Sequence, residues 1–463
     1  MSNYTLKKPV LSNIPVYIKK DSTKGHLANF KEVSWLENYK PYNKEIKNKG
    51  RKKLIEKTIL SLILLCHSPY RGIKQFLKII SEYKISLGAI NNIARLAGER
   101  AKIFNDSKDL SSIKEGALDE IFSKSIPAFV GVDLRSSYIF ILEKSLGRSG
   151  DDWGLALLDK QEKQGLNLEL AVMDQGRGIH KGVGEVYPDG EIQSDLFHTI
   201  REIFKVLKRL ENKAYKKIKE VDKITDKYLK ALLKKKGREY GKKYHLALKE
   251  MVESIDLYDD IRVLSQWFYE SIAIYSKSYE EREWIYDYVI EEIAERNNNK
   301  REIKSLVKYL KNSKKKLLCF ARLLERKLIE FKEESSYDLT IEELKTLYRQ
   351  LTLNEEQCEY WMLEGRLLSK FGKDFKNIKK KVKDIIDNTF RASSIVENVN
   401  SLIRPYFFLR KSIGNSNFLA LLQFYFNTKP IERCEKFPDR VGKSRLELLT
   451  GKKHPPWFQL LGY

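Results

Sequence analysis

The spacing of apolar positions changes character twice along the chain. From 46 to 106 they recur at helical intervals. Within that stretch Ser68-Pro69-Tyr70-Arg71-Gly72-Ile73-Lys74-Gln75-Phe76-Leu77 opens a short amphipathic helix, with Pro69 suited to a first turn that needs no backbone N–H. A break over 81–85 follows. Ser86 then caps a second helix, 87 to about 100, with Leu87, Ile90, Ile93 and Leu96 or Ala97 on its apolar side. Residues 117–143 have strand composition: 117–122, 127–133 and 138–142, the last two joined by the turn candidate Leu134-Arg135-Ser136-Ser137 and so expected to pair as a hairpin. Asp151-Asp152-Trp153 starts a helix reaching about 164, its acids well placed at the N-terminus. An apolar strand over 167–173 ends at Asp174. A loop, Gln175-Gly176-Arg177-Gly178, leads to a short helix ending near 186, a turn at Pro188-Asp189-Gly190, a brief strand over 191–194, and a helix begun by Asp195.

From about 196 to 390 the pattern is helical almost throughout. The candidate helices are 195–212, 214–236, 243–254, 259–276, 279–294, 300–331, 341–351, 355–371 and 374–387. No fixed-period repeat is visible, so a solenoid is not expected. Residues 393–404, which Pro405 is expected to end, and 418–426 are again helical. Residues 1–45, with Pro9, Pro15 and Pro41, read as a polar, irregular arm. The chain thus divides into an arm (1–45), a helical region (46–112), an α/β region (113–200), an all-α stretch (201–388) and a closing part (389–463).

Composition sharpens this. A chain of 463 residues with 42% hydrophobic content supports several domains with real cores. A net charge of +24 points to a polyanionic partner, nucleic acid first, although a basic run is also the ordinary solvated face of a helix. The four cysteines, Cys66, Cys319, Cys358 and Cys434, form no CxxC pair, so neither a zinc module nor a disulfide framework is indicated and a reducing cytoplasm fits. The most apolar run, 58–66, is too short to span a bilayer and reads as a buried helix.

The order strand, strand, strand, helix, strand, helix, strand, long helical insertion, helix is that of an α/β fold of the ribonuclease-H-like kind, interrupted by a large all-α insertion and preceded by a helix-turn-helix-like region. In that fold the first and fourth strands lie together at the centre. Asp119 on the first, Asp174 at the end of the fourth and Glu397 on the late helix would then converge. Asp133 rivals Asp119, but placing it on the first strand leaves the sheet one strand short before the helix at 151. Glu120 points to the opposite strand face. Three carboxylates suit Mg²⁺, which prefers oxygen ligands. Two such ions about 3.5–4 Å apart stabilise the attacking and leaving oxygens of an in-line phosphodiester displacement. Asp119 would bridge the ions, with Asp174 and Glu397 as terminal ligands, and Mn²⁺ is a possible substitute.

The segment from Asp174 to His198, with Tyr187-Pro188 and Asp195-Leu196-Phe197-His198, resembles the cut-and-paste DDE transposases. The stretch Ser394-Ile395-Val396-Glu397-Asn398-Val399-Asn400-Ser401-Leu402-Ile403-Arg404 resembles the catalytic-glutamate helix of the bacterial insertion-sequence members, and Phe424-Tyr425-Phe426-Asn427-Thr428 and Leu446-Glu447-Leu448-Leu449-Thr450-Gly451 resemble their C-terminal ends. The similarity covers roughly 117–200 and 391–451. It implies metal-dependent cleavage and strand transfer on double-stranded DNA, at element terminal repeats and target, by a homo-oligomer in the bacterial cytoplasm, associated with the nucleoid and not with a membrane. It also implies a place near the site for Asp195 and His198, which otherwise read as a helix cap and a partly buried histidine. Asp174 and Glu397 stand much further apart than in compact members. An insertion accounts for that, and Glu185, Glu191 and Asp195 are the local substitutes for the third acid.

Other residues admit two readings. Asn91, Asn92 and Arg95 would read base edges if the 46–106 helices bind DNA as a helix-turn-helix, or decorate an ordinary helical hairpin. Asn400 and Arg404 share the face of Glu397 and could touch the phosphate backbone. The runs Lys234-Lys235-Lys236, Lys314-Lys315-Lys316 and Lys379-Lys380-Lys381 track phosphates or are solvated helix faces. Trp267, Trp284 and Trp361 pack in a core or stack an unpaired base. Against the active enzyme stand a catalytically inactive, transposase-derived DNA-binding protein and a helical scaffold with incidental charge.

Overall fold

A computed structural model of the chain describes residues 4–7, 16–19, 44–274, 278–296, 301–409, 416–435 and 437–463. Most of the expected arm over 1–45 lies outside them. What is described there is a pair of antiparallel strands, β1 (Tyr4–Lys7) and β2 (Val16–Lys19). Helices α1 (Lys44–Leu64), α2 (Tyr70–Ser81) and α3 (Leu87–Asp106) follow. Next come β3 (Glu115–Ser123), β4 (Ile126–Asp133), β5 (Ile139–Lys144), α4 (Gly150–Gln164), β6 (Leu170–Met173), α5 (Arg177–Val186) and β7 (Glu191–Ser194). A helical stretch then runs through α6 (Leu196–Leu233), α7 (Gly237–Phe268), α8 (Tyr279–Arg296), α9 (Arg301–Leu317), α10 (Cys319–Glu334), α11 (Ile341–Thr352), α12 (Cys358–Phe371) and α13 (Phe375–Asp387). The chain closes with α14 (Ser394–Leu409), α15 (Ser416–Thr428), α16 (Arg445–Thr450) and α17 (Trp457–Leu460). No described helix is long and apolar enough to cross a membrane.

The contacts divide the chain into two units, Met1–Ser107 with Leu402–Tyr463, and Lys108–Ser401. In the first, Ser86 caps α3 as expected, its side chain accepting from Ala89 N–H. The buried stripe of α3 is Ile90, Ala94, Ala97, Gly98, Ala101 and Asn105, whereas Leu87 and Leu96 are each 39% exposed. The expected apolar side was therefore rotated, because α3 packs through its small residues. A Cβ at Gly98 would stand 2.2 Å from the Asn417 carbonyl oxygen, so no larger residue fits against α15 there. Helix α14 runs on to Leu409 through Pro405, not ending at it. Proline's φ is helical, and burial of Tyr406 and Phe407 holds the last turn in spite of the missing N–H.

In the second unit β3 to β7 form one mixed sheet in the order β5-β4-β3-β6-β7. β3, β4 and β5 are antiparallel neighbours, and β6 and β7 run parallel to β3 through the crossovers of α4 and α5. Gly131 at the β4 bulge makes room for the Phe140 ring, which a Cβ would approach to 2.5 Å. Trp153 of α4 stacks on Phe129 at 4.0 Å and carries that helix against the sheet. Asp133 ends β4 buried, accepting from Ser136 N–H at 2.8 Å and from its hydroxyl, so it caps the turn and stays out of the acidic group.

The helices from α6 onward close two apolar clusters, one from Leu196 to Ala321 and one from Leu324 to Val382. The break expected near 213 is absent, and α6 is one helix of 38 residues. Conversely, the single helix expected over 300–331 is broken at Leu318. The cause is Gln193 on β7, whose amide donates to the Leu317 carbonyl at 3.2 Å and accepts from Phe320 N–H at 2.6 Å. Trp267, Trp284 and Trp361 are 48%, 67% and 59% exposed, so they are not core residues; the first two stack on Tyr288.

Candidate active site

The sheet brings two acids level with each other. Leu118 of β3 stands opposite Met173, the last residue of β6; Asp119 follows within β3 and Asp174 directly after the end of β6. Asp119 Oδ1 accepts from Glu120 N–H at 2.7 Å and Oδ2 accepts from the Asn400 amide at 2.6 Å. Burial drives the Asp119 pKa up to about 6. The Glu120 N–H works against that rise, the like charges of Asp174 and Glu397 add to it, and His198 offsets it further. Glu120 turns the other way, as expected, and takes a hydrogen bond from the Trp153 indole at 2.9 Å.

Asp174 is half-buried, and its Oδ1 accepts from Gly176 N–H at 2.9 Å. Its backbone carbonyl lies 2.8 Å from His180 Nε2, and Lys316 Nζ lies 3.0 Å from His180 Nδ1. A carbonyl can only accept, so Nε2 carries the proton and Nδ1 accepts from the ammonium. Burial and then Lys316 push the His180 pKa down to about 4, which keeps the ring neutral. Gln175 Oε1 accepts from Ser313 Oγ at 2.5 Å.

Glu397 lies in the first turn of α14, with Oε1 3.8 Å from His198 Nε2. His198 Nδ1 is 3.3 Å from Asp195 Oδ2, and this pairing with Asp195 raises the histidine's pKa despite burial. Asp195 is 1% exposed. Its Oδ1 caps α6 through Phe197 and His198 N–H at 2.7 and 3.1 Å, and its Oδ2 accepts from Ser393 N–H at 2.8 Å and from the Ser393 hydroxyl. Burial works to raise the Asp195 carboxyl, but these bonds outweigh it and hold the carboxyl below its usual range. Asp195 is thus both a cap and the tie between α6 and the segment entering α14. Glu185 pairs with Lys181, and Glu191 with Arg322 and Arg326, so neither local substitute joins the group.

Asn400 requires a correction. Expected to touch phosphates, it is fully buried and bonded to Asp119, because its face of α14 packs on β3. Arg404 is exposed. So are Asn91, Asn92 and Arg95, and the Arg95 guanidinium is held by Glu99 at 2.5 Å and by Asn92 Oδ1 at 2.8 Å. Sequence reasoning missed His180, Lys316, Gln175, Ser313 and Ser393. The histidine six residues after Asp174, on a short helix, was the one available signal.

Among the described residues no group of three or more His, Cys, Asp or Glu side chains closes to metal-holding distance. The donors nevertheless fit a hard divalent cation in kind: all are carboxylate oxygens, and Asp119 senses the charge of both others.

Residues 117–330 match the family model DDE_Tnp_ISL3, described as Transposase. Asp119 and Asp174 fall inside the matched stretch, and Glu397 lies beyond it. No curated protein matches the chain.

Proposed function

We propose that this chain, by residues 117–330 a DDE-type insertion-sequence transposase, cleaves DNA at the ends of a mobile element and joins them to a target through Asp119, Asp174 and Glu397. The observation that carries this reading is the pairing of β3 with β6, which sets Asp119 beside Asp174, with Glu397 acting on Asp119 by charge. The strand order supports a ribonuclease-H-like core, and the helices from α6 to α13 support an all-α insertion before the last acid.

In this reading the three carboxylates hold divalent cations, Mg²⁺ or Mn²⁺ in its place. Bound there, such ions supply Lewis-acid charge to the attacking and leaving oxygens of a phosphodiester displacement. The remaining work falls to the chain. Asn400 fixes one oxygen of Asp119 and the Glu120 N–H fixes the other. His198, its proton affinity raised by Asp195, stands 3.8 Å from Glu397 through Nε2. Ser393 and Asp195 anchor the entrance to α14.

DNA recognition is assigned to α2 and α3 as a helix-turn-helix, with Asn91 meeting base edges and Asn92 and Arg95 exchanging their surface partners for them. Arg404 contacts phosphate, and the protein works as an oligomer on its ends. Incubating purified protein with labelled terminal repeats and a divalent ion tests the whole. Nicking and strand transfer are expected, lost in Asp174→Ala while end binding persists. Sequence-specific binding with no cleavage under any divalent ion would favour the inactive DNA-binding protein instead.

A further inference from the structure

Helix α9 enters the chain well over a hundred residues after Asp174, yet three of its side chains reach polar atoms around that acid. Tyr309, Ser313 and Lys316 recur at intervals of four and three, which places them on one helical face. Ser313 Oγ donates to Gln175 Oε1 at 2.5 Å, in the residue directly after Asp174. Lys316 donates to His180 Nδ1 at 3.0 Å, and the same ring donates through Nε2 to the Asp174 carbonyl at 2.8 Å. The Tyr309 hydroxyl lies 3.2 Å from Thr199 Oγ1, one turn into α6 from the Asp195 cap, and Thr199 is fully buried.

We infer that the Tyr309–Ser313–Lys316 face of α9 is a positioning element for Asp174, holding the turn that carries it through Gln175 and His180 and holding the start of α6 through Thr199. The inference deepens the proposed function, since it rests on Asp174 being a metal ligand. A helical insertion could pack on the sheet through apolar contacts alone. Here the contacts to the turn are hydrogen bonds, and at His180 the donor and the acceptor are fixed. The protonated nitrogen of His180 is dictated by the carbonyl on one side, and its lone pair is taken by an ammonium on the other. The ring therefore transmits the position of Lys316 to the backbone of Asp174. The Asp174 carboxylate is oriented in turn by Gly176 N–H at 2.9 Å, so the backbone on which that bond depends is the part α9 holds. Partners of this kind set the orientation of a ligand without touching the metal, and their loss lowers metal affinity by about ten- to a hundredfold.

Calorimetric titration of the full chain with Mn²⁺ reads this without relying on activity. Lys316→Met and Ser313→Ala are each expected to weaken Mn²⁺ binding about tenfold. Lys316→Arg, which can still donate to His180, recovers most of it, and Lys315→Met, exposed on α9 but off the Tyr309–Ser313–Lys316 face, changes nothing. Thermal unfolding without Mn²⁺ checks that each variant is folded, and if Lys316→Met is not, Ser313→Ala carries the test. Wild-type affinity in Lys316→Met and Ser313→Ala, alongside weakened binding in Asp174→Ala, overturns the positioning role and leaves the acid assignment standing. Weakening in Lys315→Met equal to that in Lys316→Met also overturns it, since a lysine off the Tyr309–Ser313–Lys316 face would then matter as much as the one bonded to His180. Unchanged affinity in Asp174→Ala overturns the acid assignment itself.

Discussion

Asp119 retains its proton to about pH 6 in the folded chain, against a usual value of 3.8, chiefly because it is buried and secondarily because two other carboxylates face it. Between those values the folded state binds more protons than the unfolded one. The stability this group contributes is therefore full below the lower value and lost as pH rises through the upper one. Asp119→Asn should unfold with the wild type near pH 3 and be more stable at pH 7.5, by about 3 kcal/mol. Thermal unfolding without divalent ions at the two pH values checks this, and coincident curves at pH 7.5 would remove the charge crowding on which the site reading depends. Asn400 shows the limit of reading at this scale. Its spacing from Glu397 put both on one side of a helix, but spacing cannot say whether that side meets solvent or a strand. Only the packing of α14 on β3 turned an expected phosphate contact into a buried donor to Asp119.

Elements were most legible where local chemistry decides them. The strands 117–122 and 127–133 lie within β3 and β4, and the helix caps at Ser86 and Asp195 fall where expected, because alternation and capping act over a few residues. Counting strands also excluded Asp133, which the fold uses to cap a turn. Helix breaks were not legible, since they are set from outside the helix. The α9–α10 break exists because Gln193, over a hundred residues earlier, supplies a donor to Leu317 and an acceptor to Phe320 in a fully buried place. Gln193→Ala strands both backbone groups away from water, at a cost of about 1–3 kcal/mol each if no water enters. A fall of at least about 2 kcal/mol in unfolding free energy is expected by denaturant titration. A change under about 0.5 kcal/mol, the usual range of surface substitutions, would mean the break has another origin.

At the scale of the molecule, a charge of +24 says that a polyanion is attracted but not where it lies. The three lysine runs are alike in sequence and differ in the fold. Lys314 pairs with Glu283 and Asp287, Lys316 is spent on His180, and Lys379 is held by Glu364 and the Tyr360 hydroxyl. Lys234-Lys235-Lys236, at the junction of α6 and α7, are all exposed, and their side chains have no ion pair or hydrogen bond among the described residues. A lysine that neutralises a phosphate releases a counterion, and each one adds about 0.9 to the slope of log K against log salt. Replacing Lys234, Lys235 and Lys236 together by Gln should flatten the slope of end binding by up to about 2.7 between roughly 50 and 200 mM salt. Lys379→Gln should leave that slope unchanged and lower stability instead, because its charge already serves a carboxylate within the fold. Fluorescence anisotropy over the salt series separates the two. If Lys379→Gln flattens the slope and the 234–236 variant does not, the phosphate track runs along the α12–α13 side and the exposed run is a solvated turn.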